Sequence, residues 1–462
     1  MRRPSRHLVV IGQGAAGLAA ALTAAEQTGR RSSVAITLIE KAAQDEAGGN
    51  TRWSPSNMRM ASPQRVEPSF VHDMLAATQF RGDATYFARL AREAPTTAAW
   101  LQYHGIAFTQ PTYYLSKGPP RIQPVGGGAS LIKTLATAAA QAGVTFRYGC
   151  RARMIMDRGV GVTVEEDGAS ETLPADAIVL ACGGFQGNAA MMRTHLGPGG
   201  ETMRLISPGT SFNTGDGIEM ALRIGADISG DWTGIHCEPV DERSARSAPV
   251  VLVYPYGIVV DKTGCRFFDE GGGLMHETWE HLARHIHFTR PSSIAYAIVD
   301  SQLLEIPDYQ RAIRSEVAPA QANTLAQLAQ TIGVDPEGLA ATVGAYNAAC
   351  VGDPSTFDAT RRDGLAAATS LQPPKSNWAR AIRVPPFLAY PMVGAVAYTF
   401  GGLATDDRSR VLRKGAPIPG LFAAGEITGH FYATAPNAVS ILRALVFGRI
   451  AGVEAVRALM RN

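Results

Sequence analysis

Residues Leu8 to Gly17 read Leu-Val-Val-Ile-Gly-Gln-Gly-Ala-Ala-Gly and run on into the alanine-rich stretch Leu18 to Ala25. An apolar run that breaks into G-x-G-x-x-G and continues as small apolar residues is a strand, a tight turn and a helix N-terminus. Gly12 permits the turn, Gly14 lets the backbone approach a pyrophosphate, and Gly17 lets the helix pack closely on the strand. The free N–H groups and dipole of that helix favour an anion beside Ala15 and Ala16. Val34 to Ile39 is a second strand ending at Glu40, about twenty residues past the last glycine, where a carboxylate accepts from ribose hydroxyls. The register of strand, glycines, helix and acidic strand end predicts a dinucleotide site.

A chain of 462 residues, 46% apolar, can bury one large or two ordinary cores. Its 43 basic and 40 acidic residues leave a net charge of +3 with no long single-sign run, so it lacks the electrostatic footprint of a nucleic-acid binder. No stretch approaches the roughly 18 to 20 apolar residues of a membrane span, so direct membrane insertion is not expected. Met1 to Arg6 has the look of a basic leader. The apolar residues after it are the dinucleotide strand itself, however, and a cytoplasmic protein is expected. The five cysteines, Cys150, Cys182, Cys237, Cys265 and Cys350, are dispersed and show no C-x-x-C pair. That removes a sequence-evident iron–sulfur, zinc or c-type haem site and a disulfide framework.

Further along, Gly48-Gly49-Asn50-Thr51 suits a backbone that wraps phosphate or a flavin edge, or an ordinary turn. Ser69 to His104 has helical spacing, with Phe70, Met74, Phe80, Tyr86, Leu90, Trp100 and Leu101 as core faces. Gln110 to Gly128, with Tyr113, Tyr114, Lys117 and Arg121, reads as a loop. A helix over Leu131 to Ala142 precedes a strand at Val144 to Tyr148 and a hairpin through Ile155 and Val160 to Glu165. Ala177 to Cys182 is a buried strand stopping on Gly183-Gly184. Asn213 to Ile218 then opens a helix whose Asp216 serves a ligand hydroxyl or an N-terminal cap. The glycine rhythm lapses between Ile235 and Pro385, as for an inserted domain. It resumes toward the strand Leu421 to Ala424, Gly425-Glu426 and a helix from about Val439 to Arg461.

At these residues the chain resembles the FAD-dependent flavoprotein subunits of succinate dehydrogenases and fumarate reductases, and within them the tricarballylate dehydrogenase branch. The resemblance covers nearly the whole chain. It is carried by Val10 to Gly17, Glu40-Lys41, Gly48 to Arg52, Asn57 to Met60, Ala181 to Phe185, Thr214 to Gly217, Gly264 to Glu270, Pro385 to Phe387, Gly401 to Leu403, Ile418 to Glu426 and Phe447 to Arg449. It implies an α/β fold, a Rossmann-like, glutathione-reductase-type FAD-binding dinucleotide domain (1–234 and 385–462) interrupted by an α+β capping domain (235–384). Substrate then lies between the two, and the cap hinges.

The implied FAD contacts are Gly12, Gly14, Ala15, Ala16, Gly17, Glu40, Lys41, Gly48, Gly49, Asn50, Thr51, Ala152, Ala181, Cys182, Gly183, Asp216, Gly425, Glu426, Ser440, Ile441 and Leu442. In relatives with covalent FAD a histidine stands at the position equivalent to Asn50, so noncovalent FAD is expected. No metal is expected.

The departures from the family pattern bear on the reaction. The arginine proton donor of fumarate reductases, a few residues beyond G-x-R-F-x-x-E, has no counterpart in Gly271 to Glu277. The carboxylate-binding histidine before Gly-Gly appears here as Tyr398, and the arginine after the Gly-Glu loop falls near Ala435-Pro436. What remains is His276, Tyr398, His236 and Glu270 for acid–base work and Arg59, Arg121 and Arg443 as cations. Each has a structural reading beside it: satisfied histidines, core packing for Tyr398, and an ion pair of Arg266 with Glu270.

The expected activity is dehydrogenation, or the reverse reduction, of a C–C bond next to a carboxylate or carbonyl. A small polycarboxylate such as tricarballylate comes first, and a cyclic ketone, as in ketosteroid dehydrogenases, second. A flavin subunit passing electrons to a separate acceptor protein is the reading from another class. His276, with the ordinary histidine pKa of about 6.5, is the expected base and Tyr398 the anchor, the roles exchanging for a ketone.

Overall fold

Arg6–Ile11 is the central strand of a six-stranded sheet in the computed structural model, and Leu8, Val9 and Val10 on it have no solvent exposure. The structure describes residues 6–29, 34–111, 115, 117–156 and 161–461. The readings made on Met1 to Ser5, Tyr113, Tyr114 and Val160 lie outside these. The sheet order is 410–413, 416–423, 177–180, 6–11, 34–39, 145–147, parallel throughout except for the first pair. Such burial on both faces selects the continuous apolar runs that mark these strands in the sequence.

Among the described residues ten α-helices accompany the sheets: α1 (Ala15–Thr28), α2 (Phe70–Ala77), α3 (Ala84–Tyr103), α4 (Gly127–Gln141), α5 (Ala189–Leu196), α6 (Asp216–Arg223), α7 (Met275–Thr289), α8 (Leu325–Ile332), α9 (Pro336–Ala349) and α10 (Ser440–Arg461). α1 leaves the glycine turn. A Cβ on Gly17 would sit 1.8 Å from the Gly12 carbonyl oxygen, so only glycine lets the helix begin there. α10 packs on α1 through Gly448 and Gly452, whose added Cβ atoms would each come within 2.4 Å of a carbonyl oxygen, of Ala16 and Ala20 respectively. The alanine-rich face of α1 is therefore matched by small residues on its partner.

The continuous helix expected over Ser69 to His104 is two helices. Gln79 and Phe80 take positive φ (51° and 56°), and Asp83 then caps α3 by accepting from the Thr85 and Tyr86 N–H groups at 2.8 and 3.3 Å. Phe80, expected in the core, is 65% exposed because it falls in that break. Arg151–Ile155, Val162–Glu166 and Ala169–Leu173 form a three-stranded antiparallel sheet that extends the expected hairpin by one strand.

A second sheet is built on Phe387–Thr399. This strand pairs antiparallel with Ile294–Val299, Ile235–Val240 and Ala320–Ala322, and parallel with Arg204–Leu205. Residues 387–399, assigned from the sequence to the returning first domain, are thus the spine of the second sheet. The first sheet is rejoined only at Arg410. α7 lies across strands 235–240 and 387–399, and its close seat is set by Gly394, whose added Cβ would be 2.4 Å from the Ala283 carbonyl oxygen. The expected Arg266–Glu270 ion pair is present at 2.6 Å. It is fully buried, with Lys375 a further partner of Glu270 at 3.8 Å.

Candidate active site

One cavity of about 590 Å³ runs from the glycine turn of the first sheet to the wall made by α7 and the second sheet. Its first-sheet end is lined by Gly12, Gly14, Ala15 and Ala16, then by Glu40 and Lys41 at the end of the second strand. Glu40 is buried and accepts from the Gln13 N–H at 2.8 Å and the Ala42 N–H at 2.9 Å. Its carboxylate therefore pins the turn and has lone pairs left for a ligand hydroxyl. Thr51 Oγ1 accepts from the Ala15 N–H at 3.3 Å. Gly49 faces Gly14 closely enough that an added Cβ would lie 3.8 Å from its Cα, so two bare backbone segments flank the cavity.

Ala152, Ala181, Cys182, Gly183, Gly425, Glu426, Ser440 and Ile441 also line this end. Three expected contacts do not. Gly17 and Gly48 are used for packing and chain reversal (Gly48 φ 122°), and Leu442 is buried in the core because its helix turns it away from the cavity. Asp216 lines the cavity but does not cap the helix. Gly215 takes the cap position, and Asp216 holds Lys41 Nζ at 2.9 Å and Arg151 Nη2 at 2.7 Å. Burial acts to raise the Asp216 pKa, but the hydrogen bonds and charges of Arg151 and Lys41 outweigh it and hold the pKa below the usual value. Burial pushes the Cys182 thiol up to about 12, so it stays protonated.

The cavity fits a large polar ligand such as FAD on the residues' own evidence. Gln13 Oε1, Trp53 Nε1 and Asn57 Oδ1 are buried atoms of cavity-lining residues that find no protein partner, and buried polar atoms are rarely left so. The Asn50 amide is satisfied at both ends, donating to the Ala397 carbonyl at 2.8 Å and accepting from Ser207 Oγ at 2.7 Å. It offers no nucleophile for a covalent flavin link.

The opposite wall carries the titratable groups. His276, in the first turn of α7, lies near Arg121, Arg59 and Arg362. Burial, and then those three cations, bring its pKa down to about 4 against the pull of Glu277. The ordinary histidine value expected from the sequence does not hold in this setting, and the imidazole is neutral at pH 7. His236 has the opposite fate. Burial acts to lower its pKa, but Glu238 (Nε2 at 3.4 Å) and Glu280 (Nδ1 at 2.7 Å) raise it to about 9, making an imidazolium already committed to two carboxylates. It is a poor base at neutral pH.

Tyr398 stacks on His236 with ring centroids 4.8 Å apart. Burial pushes its phenol far above the usual value, so it donates a proton in hydrogen bonds without ionising. Arg59 spends one guanidinium nitrogen on Asp73 at 2.5 Å. Arg121 and Arg314 also line the cavity. Arg443 also lines the cavity, almost wholly buried, with its guanidinium 4.0 Å from the Phe431 ring centroid. Glu270 is fully buried in its ion pair and does not reach the cavity.

Sequence reasoning missed Arg314, Glu238 and Glu280. Glu280 follows His276 by one helical turn and shares its face. The unrecognised helix α7 hid that signal.

A glycine turn with an acidic strand end, opening into a cavity roofed by a second sheet with its own acid–base groups, defines a dinucleotide-dependent oxidoreductase. Residues 7–439 match the family described as FAD binding domain. The chain therefore belongs to the FAD-binding flavoprotein family that contains the fumarate reductases and succinate dehydrogenases, and it is an FAD-dependent oxidoreductase. It is 27% identical to a probable fumarate reductase, Ifc3, of Shewanella frigidimarina over 97% of this chain and 74% of that one. It is 31% identical to a 4-oxocyclohexanecarboxylate 2-dehydrogenase of Sinomonas cyclohexanicum over 71% of this chain and 60% of that one. Its fold matches the open conformation of a flavocytochrome c3 fumarate reductase with a TM-score of 0.77 and 26% identity, over 98% of this chain and 79% of that one. Among the described residues no helix is long and apolar enough to cross a membrane, and no group of metal-ligating side chains occurs.

Proposed function

We propose that this protein dehydrogenates, or in reverse reduces, a C–C bond adjacent to a carboxylate in a small acid, with a polycarboxylate of the tricarballylate kind as the leading substrate. The observation that carries this reading is the set of cavity-lining cations, Arg59 and Arg121 within electrostatic reach of a neutral His276 and Arg314 elsewhere on the lining. Bound FAD supplies the two-electron acceptor for hydride. The cations hold carboxylate oxygens and so fix the neighbouring C–H bonds; cations held near a carboxylate also acidify its α-hydrogen. His276, uncharged and half-buried, takes that proton at an imidazole nitrogen. The second sheet and α7 cover the site and exclude water, which strengthens each of these interactions.

A second reading has one observation in its favour. Tyr398 remains a phenol and lines the cavity, so it can donate to a ketone oxygen while an arginine holds an acid group. The Sinomonas relative named for a cyclic keto acid combines both features. Anaerobic mixing of the purified FAD-loaded protein with saturated polycarboxylates, keto acids and neutral ketones separates the two. The first reading expects bleaching of the flavin band by polycarboxylates, with affinity falling steeply in high salt. Bleaching by neutral ketones alone, indifferent to salt, would refute it.

A further inference from the structure

Arg443 is a guanidinium with almost no surface, 1% exposed, on the first turn of α10. Its Nη1 donates to the Thr428 carbonyl at 3.2 Å, its plane faces Phe431, and the Tyr86 hydroxyl lies beside it. Its Nε has no acceptor, and among the described residues no carboxylate forms an ion pair with it. An arginine keeps its proton at any working pH, so the fold holds a permanent buried cation without a counter-ion, an arrangement that is costly unless something else supplies the negative charge.

Among the described residues no ion pair supplies it in full. Glu426, within electrostatic reach, forms no ion pair with it; burial pushes its pKa up to about 7, so it is only partly ionised at neutral pH, and its oxygens already accept from the Thr399 N–H at 3.0 Å and Asn213 Nδ2 at 3.1 Å. His430 is driven down to about 3 by burial and then by Arg443 itself, so it stays neutral. Tyr398 also stays neutral. The missing anion belongs to the cavity, which Arg443 lines together with Ser440 and Ile441 of the same helix turn.

We propose that Arg443, acting with the N-terminus of α10, compensates the negative charge that the flavin ring acquires on two-electron reduction. The side chain is less exposed than Arg59 and Arg121, 1% against 8% each, and a charge in a low-dielectric wall acts through several ångströms without contact. Its helix also belongs to the first-sheet side of the cavity: Ala444 Cβ approaches within 3.7 Å of where a Cβ on Gly425 would stand. The arginines that face substrate come from elsewhere in the chain. This inference rests on FAD binding and not on the choice of substrate.

Sulfite tests it without any substrate. Its sulfur lone pair forms a bond to N5 of the oxidised flavin and leaves negative charge on the ring, as reduction does, so its affinity reports compensation of that charge. Sulfite would be titrated into the FAD-loaded wild type and the Arg443→Lys, Arg443→Gln and Arg443→Met variants, each first assayed for flavin content so that only loaded protein is read. Arg443→Lys should bind sulfite nearly as the wild type does. Arg443→Gln and Arg443→Met should bind it ~10-fold or more weakly, with midpoint potentials shifted negative. Wild-type sulfite affinity and potential in either uncharged variant overturns the proposal. So does weakened binding of a dicarboxylate with sulfite affinity unchanged, which assigns Arg443 to the substrate instead.

Discussion

Glu40 joins the cofactor site to the fold through two hydrogen bonds of its own, to Gln13 and Ala42. Glu40→Ala removes both and any ribose contact, a loss of about 1 to 3 kcal/mol for a charged acceptor. The variant should therefore emerge from gel filtration with less FAD per chain. Full occupancy after dilution would show that the strand end does not hold the nucleotide. His276→Ala should slow flavin reduction by ~10²- to 10⁴-fold and leave FAD content unchanged. Because the folded pKa is about 4, the wild-type rate should fall only as pH drops toward that value, and the variant should lack this limb. His236 makes the opposite prediction, for stability. Its folded pKa of about 9 lies above the ordinary 6.5, so its contribution is complete below about 6.5 and is lost as pH rises through 9. The melting temperature of the wild type should decline across that window, and His236→Gln should flatten the decline. Parallel slopes in the two proteins would contradict the imidazolium assignment.

Among the elements, what was legible is what carries a strong local pattern. The strands at 6–11, 34–39 and 177–180, the helices α1 and α10 and the glycine turn are continuous apolar or alanine-rich runs bounded by glycine. α7 was not legible, because its sequence MHETWEHLARHIHFT is mostly polar and follows three glycines that read as loop. Strand 387–399 was obscured by Pro391 and Gly394 within it and by the prolines before it, which read as a boundary. Both failures fall on the wall that holds His276, His236 and Tyr398. The candidate residues could therefore be listed from the sequence, but their neighbours, and hence the two shifted histidine pKa values, could not. The helix break at Phe80 was within reach, since Gly82-Asp83 is a cap signal. Gly394→Ala tests the seat of α7 directly. The added carbon overpacks against a backbone carbonyl and should cost about 1 to 3 kcal/mol in denaturant unfolding, whereas Gly344→Ala, with open space around it on α9, should be neutral or stabilising.

At the scale of the whole molecule, two sheets share one cavity, and the chain crosses between them at Arg204–Leu205 and again through 387–399. The first sheet offers a nucleotide cradle with unpartnered polar atoms. The opposite wall, made by the second sheet, α7 and neighbouring loops, brings an un-ionised tyrosine, a neutral histidine and a set of arginines to the cavity. On the proposed function these groups remove hydrogen from two adjacent carbons, one of them beside a carboxylate. The most direct measurement uses the acid that bleaches the flavin, deuterated at both carbons, with mass analysis of the product after a single anaerobic turnover. One deuterium should be lost from each of the two adjacent carbons. Retention of the full label at either carbon, with the flavin reduced, would contradict it.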